Sequence, residues 1–226
     1  PFFSFIFSRF EHGLRLSVAS LITTDEIWTQ LFDFLSTTTF RSLVSLVWDK
    51  NRLNPKLFAF LLKNPFFENL SLNSCFSSSS SDLIRQLGMF VQSSNALRSL
   101  SIRGNDENYL GSSLNSLLKM IFVSKSLKFL DISYSKCGDS GLKNILDFIS
   151  LANLKIERLV FDDSMPSKSE NMIALLQKAA KIKERTLISF PENDVSSLVQ
   201  KKLIDKNQSG SLRKGLIISQ DLLNNN

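Results

Sequence analysis

The stretch Leu127 to Leu142 has a spacing that returns at nearly constant intervals along the chain, and that recurrence limits the possible folds more than any other feature. With Leu127 as position one of a unit, Leu130, Ile132 and Ser135 fall at positions four, six and nine, and Cys137 at position eleven. Upstream, Leu97, Leu100, Ile102 and Asn105 match, as do Phe67, Leu70, Leu72 and Cys75; downstream, Ile156, Leu159, Phe161 and Ser164 match. The starts at 67, 97, 127 and 156 differ by 30, 30 and 29 residues. Leu43, Leu46, Trp48 and Asn51, with Leu53 at position eleven, form an earlier unit after an interval of 24 residues. Arg185, Ile188, Phe190 and Asn193 form a later, looser one, and a degenerate copy surrounds Leu14 and Leu16.

Within a unit, Leu130 and Ile132 alternate as a strand does, and a helical period follows. Leu142, Ile145, Leu146 and Ile149 lie at offsets of three, four and seven and share one helix face. Asp139 or Ser140 can cap that helix by accepting a bond from an orphan N–H. Each unit therefore has one strand and one helix sharing a core. Position nine holds three Asn, two Ser and one Cys, side chains able to bond backbone groups in the turn that leaves the strand.

Self-similarity at such a period signals a repeat architecture, and the pattern resembles the leucine-rich repeat, L-x-x-L-x-L-x-x-N/C-x-L, whose units run to roughly 20 to 29 residues. The unit length is similar to the ribonuclease-inhibitor type. That resemblance spans about Leu14 to Asn193. It implies an α/β solenoid, a right-handed βα arc with a parallel sheet on its concave side and helices outside. The register of Lys125-Ser-Leu-Lys-Phe-Leu-Asp-Ile-Ser133 looks most like the repeat arc of CARMIL-like actin-capping regulators. The implied domain plan is an arc over 1–193 of six to seven units, with 1–36 a degenerate first unit, then a terminal helix over 194–204 and a polar tail or linker over 205–226.

Composition bounds the function. A hydrophobic share of 43% suits a folded chain. The net charge of +6 could suggest nucleic acid, but the excess is dispersed. Lys and Arg stand against Asp and Glu as 7 to 6 through residue 75, 13 to 10 through residue 181, and 7 to 5 thereafter. No segment reads as a basic arm, so nucleic-acid binding is not expected. Cys75 and Cys137 sit in different units and are expected as buried free thiols, which suits a reducing, cytoplasmic setting. The chain begins at Pro1 without an initiator Met and reads as a fragment expected to continue into further domains. Its apolar run Phe2 to Phe7 is too short to span a bilayer, so no integral membrane segment is expected. That run is either an edge packed on the next unit or a surface broken from a longer array.

Thr23 and Glu26 have capping-box spacing ahead of Ile27, Leu31 and Leu35. Asn54-Pro55 opens a helix ending near Lys63. Ser77 to Ser81 reads as a connector, with a phosphorylation site the alternative, before a helix from Asp82. Leu110, Leu114, Leu117, Leu118 and Ile121 mark another helix, and Ser167 and Glu170 a further capping box.

Chemistry is missing from this pattern. His12 is the sole histidine, too little for a zinc site or a nucleophile–base pair. Gly138 and Gly141 follow no phosphate-loop pattern and read as repeat-turn glycines. Adjacent Asp162 and Asp163 would point to opposite faces of a strand. No enzyme, cofactor or metal is expected, which leaves the sheet face opposite the core. Position three there reads Ser45, Asn69, Ser99, Phe129, Arg158 and Leu187. Position five reads Val47, Ser71, Ser101, Asp131, Val160 and Ser189, and position seven Asp49, Asn73, Arg103, Ser133, Asp162 and Pro191. Arg103, Phe129, Asp131, Arg158 and Asp162 combine an aromatic with both charges, the composition of interface hot spots, and are expected to bind a protein partner. The same residues would also suit a solvated face with Arg–Asp pairing across strands. The expected function is a non-enzymatic interaction scaffold, which the resemblance places in actin regulation; a GTPase-activating repeat protein and a substrate-recognition arm of a ubiquitin ligase are the alternatives.

Overall fold

A parallel strand of two or three residues has almost no stability alone, so such strands exist only where a neighbouring strand completes their hydrogen bonds. The computed structural model, which describes residues 13–37, 43–64, 66–77, 80–121, 123–151, 154–182 and 186–221, with side chains to residue 216, meets that need by sequential pairing. Its strands are β1 (Leu14–Ser17), β2 (Leu43–Val47), β3 (Asn69–Ser71), β4 (Ser99–Ser101), β5 (Phe129–Asp131), β6 (Arg158–Val160) and β7 (Leu187–Ile188). They form one seven-stranded parallel sheet in chain order. The phenylalanine-rich start, His12 and Arg185 lie outside the described residues.

Helices fill the connections: α1 (Asp25–Thr37), α2 (Pro55–Lys63), α3 (Ser81–Ser93), α4 (Leu114–Ile121), α5 (Gly138–Ile149), α6 (Glu170–Lys181), α7 (Glu192–Gln200) and α8 (Lys206–Asp221). Leu46, Leu70, Leu100, Leu130, Leu159 and Ile188 stand opposite one another in register, which aligns position four along the whole sheet. These leucines and the isoleucine are all buried, as are Trp48, Leu72, Ile102, Ile132 and Phe161 at position six. Against them each helix lays one apolar stripe, such as Leu142, Ile145, Phe148 and Ile149 of α5. One hydrophobic core therefore runs from Trp28 to Leu216. At its early end Trp28, Phe32 and Trp48 pack with centroids 5.5 to 6.0 Å apart, and the Trp48 indole donates to the Arg52 carbonyl at 2.9 Å.

Inter-unit bonding continues past β1 to β5. The position-six N–H donates to the next unit (Leu72 to Ser101, Ile102 to Asp131, Ile132 to Val160), and so does the N–H at position eight. Lys50 N–H reaches the Asn73 carbonyl at 2.7 Å, Ser74 reaches Arg103 at 2.6 Å, and Tyr134 reaches Asp162 at 2.8 Å. The chain must turn sharply there towards its helix. Ser20, Lys50, Ser74, Tyr134 and Asp163 all do so in the left-handed region, with φ between 52° and 58°. That conformation costs a non-glycine residue about 1 kcal/mol, offset at Ser20, Lys50, Ser74 and Tyr134 by the ladder bond it allows, whereas Asp163 N–H donates to the Asp162 carboxylate.

Several sequence expectations are corrected. Thr24, not Thr23, faces the first turn of α1, its hydroxyl accepting from Ile27 N–H at 3.4 Å. Neither Asp139 nor Ser140 caps α5; the helix starts at Gly138, and Asp139 accepts instead from Ser167 and Lys168 of the next unit. Ser167 likewise does not cap α6, which begins at Glu170. Position nine works as expected at Asn51, which donates to Val18 carbonyl at 2.9 Å and accepts from Leu21 N–H at 2.7 Å, and at Cys75, whose thiol donates to Trp48 carbonyl at 3.2 Å. Asn105 folds a turn of its own loop, and Asn193 is exposed, its inward place taken by buried Asp194. The terminal helix expected over 194–204 is α7, Glu192–Gln200.

The largest departure is the segment 205–226, read as a tail, which contains α8. Polar residues and two glycines hide its pattern, but Leu212 and buried Leu216 pack onto the core beside α6. Packing of a narrow stripe outweighs poor intrinsic propensity here. The fit is loose: a cleft of about 580 Å³ between α6 and α8 is lined by Leu176, Ala180, Leu212 and Gly215. No helix among the described residues is long and apolar enough to cross a membrane.

Gly141 is required by contact, since a Cβ there would lie 2.2 Å from the Cys137 Cβ and 2.3 Å from its sulfur. Gly141→Ala is expected to lower unfolding free energy by about 2 kcal/mol through overpacking, whereas alanine at exposed Lys143 leaves it unchanged. Urea melts of the two variants check this.

Candidate functional site

The strand register that aligns the core also aligns the opposite face. Ser45, Asn69, Ser99, Phe129, Arg158 and Leu187 stand side by side at position three, and Val47, Ser71, Ser101, Asp131 and Val160 at position five. Helices cover the other face, so these side chains remain half-buried or exposed, with Asp131 the exception.

Over β2 to β4 this face is a closed polar ladder. Asp49 accepts from the Ser71 hydroxyl at 2.6 Å, Asn73 N–H at 2.9 Å and the Asn73 amide at 3.0 Å. Asn73 in turn accepts from the Ser101 hydroxyl at 2.7 Å and Arg103 N–H at 2.8 Å. Position seven thus hands one acceptor to the next unit until it reaches Arg103, which has none to give.

From Arg103 onward the face changes character. Its guanidinium lies 3.8 Å from the Asp131 carboxylate, and its carbon sits 5.6 Å from the Tyr134 ring centroid. The cross-strand Arg–Asp pairing is therefore present, though half-exposed and worth at most about 1 kcal/mol. Asp131 faces partly inward, accepting from Ser133 N–H at 3.0 Å. On the next strand, the guanidinium carbon of Arg158 sits over its register neighbour Phe129, 5.7 Å from the ring centroid. Arg158 is exposed and forms no ion pair among the described residues.

Arg103, Phe129, Asp131 and Arg158 are thus brought together, while Asp162 is not available. Its Oδ1 accepts from Asp163 N–H at 2.9 Å and Asp194 N–H at 3.0 Å, and its Oδ2 from Asn193 N–H at 3.1 Å. It serves the orphan N–H groups at the start of α7, a structural duty that strand alternation could not reveal. Conversely, reasoning from positions three, five and seven missed a rim of tyrosines at the strand ends. Beside Tyr134, Lys136 lies 4.9 Å from the Tyr109 ring and pairs with Asp106 at 3.2 Å. The legible signal was Tyr134 at the recurring position eight, where a left-handed turn presents the side chain.

Behind the face lies a buried polar group. Asp194 is 2% exposed and accepts from Ser164 N–H at 2.9 Å and Met165 N–H at 3.1 Å. Loss of solvent pushes its carboxyl up to about 6 despite those bonds. Nearby, burial raises the Cys137 thiol, and the Ser135 and Ser164 hydroxyls beside it lack a hydrogen bond of ordinary geometry among the described residues. Cys75 is pushed up to about 12, chiefly by burial, so neither thiol is a ready nucleophile. Both cysteines are free, and no cluster of three potential metal ligands occurs among the described residues.

No protein-family model matches the chain, and no curated protein matches its sequence.

A raised carboxyl keeps its proton to higher pH in the folded state than in the unfolded one. Its contribution to stability is therefore complete below the ordinary value of 3.8 and is lost as pH rises to about 6. The difference in unfolding free energy between wild type and Asp194→Asn is expected to shift against wild type by on the order of 3 kcal/mol from acid to neutral pH. Denaturant melts of both proteins across that range test it; a constant difference contradicts the assignment.

Proposed function

We propose that the chain is a non-enzymatic interaction scaffold, a leucine-rich-repeat arc of the ribonuclease-inhibitor type that binds a protein partner through the concave face of its sheet. The observation that carries the reading is the in-register placement of Phe129 and Arg158, with Arg103 and Asp131 alongside, on the face the helices leave uncovered. Aromatic and arginine side chains that are already held in place by stacking lose little freedom on binding, which favours them as anchors. The polar ladder over β2 to β4 has its hydrogen bonds satisfied internally and serves as the neutral flank of the contact. The resemblance to the repeat arc of actin-capping regulators makes an actin-regulatory protein the first partner class to try.

The test compares captures from a eukaryotic lysate by wild type, by the triple variant Arg103→Ala/Phe129→Ala/Arg158→Ala, and by a helix-side control, Arg85→Ala/Lys143→Ala, each checked for folding by circular dichroism. A partner held by wild type and control and reduced about tenfold or more with the triple variant is the expected result. Equal capture by all three would move the contact off the sheet face.

A further inference from the structure

Counting how each charged group on this face spends its hydrogen-bonding capacity separates the acids from the bases. Asp49 is consumed by Ser71 and Asn73, and Asp162 by three backbone N–H groups. Asp131 is 8% exposed, with one oxygen on Ser133 N–H. The acids spend their acceptor capacity within the protein. Both arginines, in contrast, sit over rings, Arg103 with its guanidinium carbon 5.6 Å from the Tyr134 centroid and Arg158 5.7 Å from that of Phe129, and both are exposed. A guanidinium held over a ring by cation–π attraction can still turn N–H donors to a planar acceptor. Arg158 has no ion-pair partner among the described residues, and Arg103 only a distant one at 3.8 Å. A face carrying nearly balanced formal charge thus offers mainly cationic donors.

The geometry points to an acidic polypeptide segment as the occupant, crossing β4 to β6 and placing side-chain carboxylates against Arg158 and Arg103 beside the Phe129 ring. This rests on the concave-face reading and narrows it. A carboxylate suits the forked donors of Arg in two parallel bonds. A nucleic-acid strand fits less well, because its continuous row of phosphates would also pass the carboxylates of Asp131 and Asp162. Discrete carboxylates can fall between those charges.

The test is selection of short random peptides displayed on phage against the folded wild-type chain, followed by binding measurements of recovered peptides by fluorescence anisotropy. Recovered peptides are expected to be enriched in Asp and Glu. Affinity should fall about tenfold for Arg158→Ala, with Arg158→Lys restoring only part of it, since a lysine keeps the charge but not the fork. Replacing the peptide's acids by their amides should cause a comparable loss. Peptides without acidic enrichment that still lose binding with Phe129→Ala would overturn the acidic assignment and leave the concave-face reading standing. Peptides indifferent to Arg103, Phe129 and Arg158 substitutions would overturn both. A single-stranded oligonucleotide that displaces the peptides at lower concentration than they displace one another, or a selection that recovers nothing, would also overturn the proposal.

Discussion

Every strand of this sheet depends on the ladder it shares with the neighbouring unit, on both sides for β2 to β6 and on one side for β1 and β7. Five of the seven strands, all but β1 and β2, have only two or three residues, and none could persist unpaired. The bonds that matter most lie partly beyond the strands, where the N–H groups of positions six and eight reach the neighbouring unit. The buried row from Leu46 to Ile188 and the exposed row from Ser45 to Leu187 are two results of that one register. A slip of a single residue would exchange them, sending leucines to water and serines to the core.

Polar groups fill the gaps that repetition leaves. At Asn51 and Cys75 the position-nine side chain closes the turn. Where serine stands there, at Ser135 and Ser164, the shorter side chain leaves its hydroxyl buried beside a thiol. The region around Cys137 and Asp194 is thus more polar inside than the rest of the core, and the charge on Asp194 is tolerated because two backbone N–H groups meet it.

The repeat made much of this legible beforehand. Spacing of Leu127, Leu130 and Ile132 was enough to order the strands and sort their faces, because burial dictates period two on a strand. Caps were less legible: Thr23, Asp139 and Ser167 have suitable chemistry, yet the turn geometry put Thr24 in place and turned Asp139 towards another unit. Helix α8 was hidden because Gly210, Gly215 and many polar residues contradict helix propensity, and only the side of α6 supplies a reason to coil. At the candidate site, Phe129 and Arg158 followed from register alone. Asp162 did not, since its role depends on where α7 begins, and the Tyr134 contact depends on a left-handed turn.

Sequential order has a temporal side as well. In a sheet whose strands pair only with their predecessor and successor, each element's partner has been synthesised about thirty residues earlier. No strand bond among the described residues joins the first unit to the last. Loop closure is therefore short at every step, and a nascent chain emerging from a ribosome can add one unit at a time onto an already ordered edge. The sheet face that carries Arg103, Phe129 and Arg158 would be ordered before α7 and α8 leave the exit tunnel, so its geometry does not wait on those helices.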